Sequence, residues 1–234
     1  MSELAVIYQD EDLIVVDKPV DLPVHKNDFM PADAAYLTKE VGLLTGKSVY
    51  PVHRLDSKTS GIIVLAFSRE VAAFLSQQFE QRKVKKSYVV VCKGIPGEGT
   101  FDKPVLIKKK KKRINASTYY KTLKSVSTKI CYKDFTDVDL SLVMVTPETG
   151  RWHQIRQHFA FERFDLLGDT QHGDWTLNKI MTAETGVKRL LLHAHTLSFT
   201  HPSSGEKMNL KAPIPGEFEQ VLEQLQDYEL HYSD

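Results

Sequence analysis

Three stretches of this chain place residues of reactive type at close spacing. In His53-Arg54-Leu55-Asp56-Ser57-Lys58-Thr59-Ser60-Gly61, one carboxylate stands among basic neighbours just ahead of the apolar run Ile62 to Phe67. That run is short, β-branched and bounded by Gly61 and Ser68, which predicts a buried strand. Asp56 therefore lies on a loop entering the core, where a carboxylate is costly to desolvate unless a cation or several donors hold it. The bland alternative is an Asx turn closed by Thr59 and Ser60. The second stretch is the strand-like Tyr88-Val89-Val90-Val91-Cys92, entered through Arg82-Lys83-Val84-Lys85-Lys86. Tyr88 brings an aromatic face and a polar tip to the edge of the core, as many strand tyrosines do. The third is Thr149-Gly150-Arg151-Trp152-His153-Gln154-Ile155-Arg156-Gln157-His158, whose arginines, taken alone, fit the solvent face of a helix equally well.

Taken together, these letters point further. His53-Arg54-Leu55-Asp56-x-x-Thr59-Ser60-Gly61 resembles the catalytic signature of the RluA-type RNA pseudouridine synthases. Seven fixed positions match by chance on the order of once in a billion sites at even residue frequencies. The resemblance implies that Asp56 is the essential aspartate that isomerises uridine in RNA. Lys86-Ser87-Tyr88 matches the family's Lys-x-Tyr segment, whose tyrosine stacks on the target uracil. Thr149-Gly150-Arg151-x-His153-Gln154-Ile155-Arg156 matches a further family signature, in which Arg156 corresponds to the basic residue that pairs with the catalytic aspartate. By the same resemblance, His53, Arg54 and Leu192 lie on the substrate side. The segments Leu167 to Asp174, Arg189 to Ala194 and Phe199 to Gly205 match as well, so the likeness covers nearly the whole chain. One departure is Asp17, where the family often has Asn; both side chains bond backbone donors in a turn.

Lys108, Lys109, Lys110, Lys111, Lys112 and Arg113 form the longest charge block, between the strand-like stretches Lys103 to Ile107 and Ser117 to Lys121. Like charges in a row repel and solvate, so the block reads as an exposed loop or hairpin tip. RNA phosphates would offset the repulsion, and by resemblance this loop enters the RNA stem beside the flipped base. Overall charge says little about partners, since 31 Lys and Arg face 30 Asp and Glu, a net of +1; a nucleic-acid site must come from such local clustering.

Other chemistries fit less well. Gly42-Leu43-Leu44-Thr45-Gly46-Lys47-Ser48 looks like a phosphate loop, but has three residues between its glycines where that motif needs four. His153 and His158 sit about 140° apart around a helix, too far to share a tetrahedral metal. His193 and His195 can share one strand face but have no third ligand close in sequence. No metal is therefore expected, and isomerising a base needs no cofactor. The two cysteines, Cys92 and Cys131, lie in separate apolar runs and read as buried free thiols in a reducing compartment. No leader pattern and no membrane-length apolar run is found, so a cytoplasmic protein is expected.

The elements that position these groups follow from periodicity. Short apolar runs at Ala5 to Tyr8 and Leu13 to Val16 suggest a hairpin, and Val138 to Val145 a strand ending at Pro147. Helices are predicted from Pro31 to Val41 with Gly42 as the stop, after Ser68 with Val71, Phe74, Leu75 and Phe79 inward, and around Phe218, Val221, Leu222 and Leu225. This strand-rich pattern predicts an α+β fold. The resemblance adds a mixed, mostly antiparallel sheet with flanking helices and a central cleft, in one catalytic domain spanning 1–234 as two halves. No separate RNA-binding domain is expected ahead of it. The expected function is isomerisation of a specific uridine in structured RNA by a monomer, with tRNA favoured over rRNA. The alternative is a non-catalytic RNA-remodelling protein using the same pocket.

Overall fold

The structure, a computed structural model, describes residues 4–26, 30–31, 33–107, 112–134, 136–226 and 229–231. In chain order these hold β1 (Ala5–Gln9), β2 (Leu13–Lys18), α1 (Leu37–Thr45), β3 (Tyr50–Pro51), β4 (Ser60–Ala66) and α2 (Arg69–Glu80). There follow β5 (Lys85–Lys93), β6 (Glu98–Phe101), β7 (Val105–Ile107), β8 (Lys112–Ile114), β9 (Thr118–Ser127), β10 (Lys129–Cys131) and β11 (Asp139–Pro147). The last are α3 (Gln154–Phe161), α4 (Trp175–Thr185), β12 (Leu192–Thr200), β13 (Lys207–Lys211), α5 (Glu217–Leu225) and β14 (Glu229–His231). The chain forms two compact units, one of Met1–Ser87 with His193–Pro213 and one of Tyr88–Leu192 with Ile214–Asp234.

In the first unit, β2 pairs antiparallel with both β1 and β4, and Leu13 to Val16 and all of β4 are buried, as unbroken β-branched runs predict. β4 pairs parallel with β12 at His193↔Ser60 and Ala194↔Gly61, while β13 pairs antiparallel with β12. Ser68 caps α2 as expected, its side chain accepting from the Val71 N–H at 3.1 Å. The inward stripe differs in one place. Phe74 is exposed, and Gln78 is buried instead, exchanging two 2.8 Å bonds with the backbone of Thr200. Val71, Leu75, Gln78 and Phe79 follow the i, i+4, i+7, i+8 rule, and Phe74 falls on its flank.

The first helix also begins and ends later than its sequence suggests. The amides of Leu37 and Thr38 are taken by the carbonyls of Pro23 and Val24, a tertiary cap invisible in the local sequence. Gly42 lies inside α1, and the stop is Gly46, left-handed at φ 67°. The phosphate-loop lookalike is therefore mostly the last turn of a helix.

In the second unit, β5, β11, β9 and β6 pair antiparallel in that order, and β7 pairs antiparallel with β8. Phe218, Val221, Leu222 and Leu225 of α5 are fully buried, in one cluster with Val89 and Val91 of β5 and Leu140 and Leu142 of β11. This is the stripe expected from their spacing. Cys92 is buried and Cys131 half-buried, both as free thiols. The class is α+β, with mostly antiparallel strand pairing in both units. Among the described residues, no helix is long and apolar enough to cross a membrane.

Candidate active site

The Asp56 loop is built from buried neighbours. Leu55, Thr59 and Ser60 are buried while Asp56 itself is half-buried, and the Thr59 N–H donates to the Asp56 carbonyl at 3.0 Å, closing a tight turn. Ser60 Oγ lies 2.9 Å from Nδ1 of the buried His193. Gly61 has φ +113°, and a Cβ there would meet the Ala194 carbonyl oxygen at 2.2 Å. The Thr-Ser-Gly letters thus describe how closely β4 must run against β12 to carry the loop.

Lys18 holds the same loop from the other side. Fully buried at the end of β2, its ammonium donates to the carbonyls of Pro19, Leu22 and Ser57 at 2.8, 2.9 and 3.2 Å. Sequence reading passed over it as part of a strand end, although a lysine just before a proline turn was the available signal. His53, expected on the substrate side, is anchored within its own unit. Its Nε2 accepts from the Val64 N–H at 3.1 Å and its ring stacks on Phe79 at 4.5 Å. Desolvation, aided by the nearby Lys86 charge, pushes its pKa down to about 3, so the ring is neutral as that acceptor bond requires. Arg54, beside it, is exposed.

In the second unit, Tyr88 stands half-buried on β5 opposite Val145 and packs on a cluster that includes Val90, Val145, Ile155, Leu190 and Leu192. A tyrosine and a leucine thus share one apolar floor. The signature on α3 divides its work between two faces. Gln154 donates to the Ser117 carbonyl and Thr118 Oγ1, both at 2.9 Å, while Gln157 brackets the Leu106 backbone, accepting at 2.8 Å and donating at 3.2 Å. His158 adds bonds of 2.8 Å to Thr118 Oγ1 and the Lys103 carbonyl. Gln157 thus holds β7, while Gln154 and His158 hold the start of β9 and the Lys103 backbone ahead of β7. Lys112 and Arg113 lie on β8, exposed, with Arg113 over the Phe161 ring at 5.3 Å. Lys108, Lys109, Lys110 and Lys111 lie outside the described residues.

The other face carries Arg156, which is buried. Its Nε and Nη2 donate to Oδ2 and Oδ1 of Asp169, each at 2.7 Å, and its Nη1 donates to His153 Nε2 at 2.9 Å. The expected partner was Asp56, which belongs to the other unit; within its own unit the guanidinium is fixed by Asp169. Asp169 is held in turn. Its Oδ1 accepts from the Gln171 and His172 amides at 2.9 and 3.0 Å, and Asn178 of α4 bonds the backbone of Gly168 and Asp169. Burial alone would raise the Asp169 pKa; the Arg156 hydrogen bonds and charge and the two amides outweigh it, leaving a carboxylate below its usual range. Asp169 and His172 were read only within a matching segment and Asn178 not at all, because a contact between a helix and a later loop leaves no periodic trace.

Among the described residues, Asp10, Asp12 and His201 bring three ligand atoms within 4.8 Å of one another. Those atoms already have protein partners. Asp10 Oδ2 accepts from the Tyr8 hydroxyl and faces His201 Nε2, both at 2.7 Å, and Asp12 Oδ2 accepts from Ser203. His193 and His195 bond Ser60 and the Ala212 carbonyl through Nδ1.

A family model described as RNA pseudouridylate synthase matches residues 12–161, which carry the Asp56 loop, Tyr88 and all of α3. The chain belongs to the RNA pseudouridylate synthase family. It is thus an isomerase that converts uridine in RNA to pseudouridine. Among relatives of this synthase is tRNA pseudouridine synthase C of Pasteurella multocida, 37% identical over 222 residues, covering 90% of this chain and 91% of the relative. The protein of the same name from Haemophilus ducreyi is 32% identical over 242 residues, covering 99% and 98%. Of solved structures, human RNA pseudouridylate synthase domain containing 4 matches with a TM-score of 0.72 and 26% identity, covering 94% of this synthase and 92% of that chain.

Proposed function

We propose that this synthase modifies a uridine in tRNA, with Asp56 as the essential carboxylate. The reading of tRNA is supported by relatives named tRNA pseudouridine synthase C that align with it nearly end to end. The reaction breaks the N1–C1′ bond, turns the uracil and joins C5 to C1′; N1 gains a proton and C5 loses one. Atoms and electrons balance within the substrate, so the protein must supply orientation, charge and exclusion of water. The uridine is first flipped from its stem. Asp56 carries the chemistry at the sugar and base, Tyr88 and Leu192 form the apolar surface on which the uracil turns, and Arg156 keeps the carboxylate ionised and oriented.

Arg54 and the basic residues Lys109, Lys110, Lys111, Lys112 and Arg113 bind RNA through its phosphates. Both units act as one catalytic domain, because the chain passes between them three times and neither is a continuous stretch. The synthase works as a cytoplasmic monomer. Incubation with total tRNA and with ribosomal RNA from cells lacking the protein, followed by position-resolved pseudouridine mapping, tests the reading. Pseudouridine at one tRNA uridine is expected; new pseudouridine in ribosomal RNA alone overturns the choice of substrate.

A further inference from the structure

Around Arg156 the hydrogen bonds close into a circuit. Arg156 Nη1 donates to His153 Nε2 at 2.9 Å, and His153 Nδ1 lies 3.0 Å from His172 Nε2. The His172 backbone N–H donates to Asp169 Oδ1 at 3.0 Å, and Asp169 accepts from Arg156 at both oxygens. The protons are dictated by the arginine, which can only donate. His153 therefore accepts at Nε2 and carries its proton on Nδ1, and His172 accepts that proton's bond at Nε2. The Trp152 ring stacks on His153 at 3.8 Å and meets His172 edge-on at 6.1 Å, fixing both imidazole planes. His153 itself is held left-handed at φ 50°, an uncommon conformation for a side chain of this size, at the first turn of α3.

We propose that His172 is a positioning residue for the pseudouridine reaction, aligning Arg156 through the His153 ring. The proposal rests on the reading of Arg156 as part of the catalytic set. A proton on His172 Nε2 would set two donors against each other. If His153 shifted its proton to Nε2 to accommodate it, that ring would oppose Arg156 instead. Either way the imidazole no longer offers Arg156 Nη1 a well-placed acceptor, and the guanidinium is held less firmly in its plane.

The charged and titratable groups facing His172 are Asp169 in its own loop and His153 and Arg156 from the start of α3. Burial lowers the His172 pKa most, Asp169 raises it and Arg156 lowers it, for a net value below the ordinary imidazole. The circuit is therefore intact at neutral pH and opens only as the pH falls below the ordinary imidazole range.

The test compares kcat and KM on an RNA substrate from about pH 5 to about pH 8 for wild type, His172→Gln and His172→Phe. Glutamine offers an acceptor oxygen at similar reach and does not titrate, whereas phenylalanine offers none. His172→Phe should lower kcat by roughly tenfold or more across the range with KM little changed. His172→Gln should keep wild-type kcat near neutrality and lack the acidic fall of the wild type. Wild-type turnover by His172→Phe, or an unaltered acidic fall in His172→Gln, overturns the proposal. If His172→Phe does not fold, the shape of the His172→Gln profile decides alone. Asp56→Asn and Arg156→Lys run alongside: full turnover by both would sink the reading of the site, whereas their loss with unaffected His172 variants sinks only the role of His172.

Discussion

Arg156 and Asp169 meet as a two-pronged pair, with 2.7 Å bonds to both carboxylate oxygens and side chains 6% and 1% exposed. Burial of this degree makes removal of one partner costly, because the other stays desolvated with its charge unmatched. Arg156→Leu is expected to destabilise the fold by roughly 3–5 kcal/mol. The pair also sets an acid limit. The folded Asp169 pKa lies below its ordinary value, so its contribution is complete above that value and fades as pH falls through the folded one. Below about pH 4, wild type should lose stability more steeply than Asp169→Asn, by up to about 1.4 kcal/mol per pH unit. Denaturant unfolding at several pH values measures both effects. Equal slopes for the two proteins would show that Asp169 is not ionised in the fold.

Asp56→Asn keeps the shape of the side chain and removes its charge. If Asp56 carries the isomerisation, pseudouridine formation should be lost while RNA affinity stays near wild type, because base flipping and phosphate contacts do not need a carboxylate. Filter binding and pseudouridine mapping on the same preparation measure the two separately. Residual turnover above a few per cent of wild type, an order-of-magnitude bound for losing a group that acts in the transition state, would remove Asp56 from its role.

Two glycines make a contrast in backbone constraint. At Gly61 an added Cβ would sit 2.2 Å from the Ala194 oxygen and 2.6 Å from its nitrogen, with φ at +113°. Both obstacles are backbone in a paired strand and cannot move aside. At Gly46 the φ is also positive, but nothing lies within 4 Å. Gly61→Ala should therefore cost more than about 3 kcal/mol and disturb the Asp56 loop, whereas Gly46→Ala costs only about 1 kcal/mol. Thermal unfolding of the two variants, with turnover, compares them directly; equal losses would mean that the close approach of β4 to β12 is not what the motif glycine serves.

The parts legible in the sequence are those whose cause is local. The buried run that became β4, the Ser68 cap and the four-residue stripe of α5 were all written in spacing and residue type. What escaped was tertiary. The start of α1 depends on carbonyls of Pro23 and Val24, the contacts of His53 on Val64 and Phe79, and the Arg156–Asp169 pair on a loop whose aspartate lies 13 residues further on. The signature Gln-Ile-Arg-Gln-His looked like one functional unit. In the fold, Gln154, Gln157 and His158 hold β7 and the start of β9, and Arg156 pairs with Asp169.

That bracing bears on how the basic block meets RNA. Ile107 and Lys112 stand opposite each other where β7 and β8 pair, and Gln157 grips the Leu106 backbone on both sides. If the lysines of the block bind RNA as proposed, they do so through phosphates, and phosphate contacts confer affinity without reading bases. Replacing Lys109, Lys110, Lys111 and Lys112 with serine should weaken binding to any RNA stem. If each lysine neutralises one phosphate, the slope of log affinity against log salt should become shallower by roughly 3–4 units. The uridine modified should stay the same. Affinity titrations at a series of salt concentrations, with pseudouridine mapping of the variant, measure both. An unchanged slope would place the lysines away from the RNA, and pseudouridine at new positions would show that they take part in choosing the base.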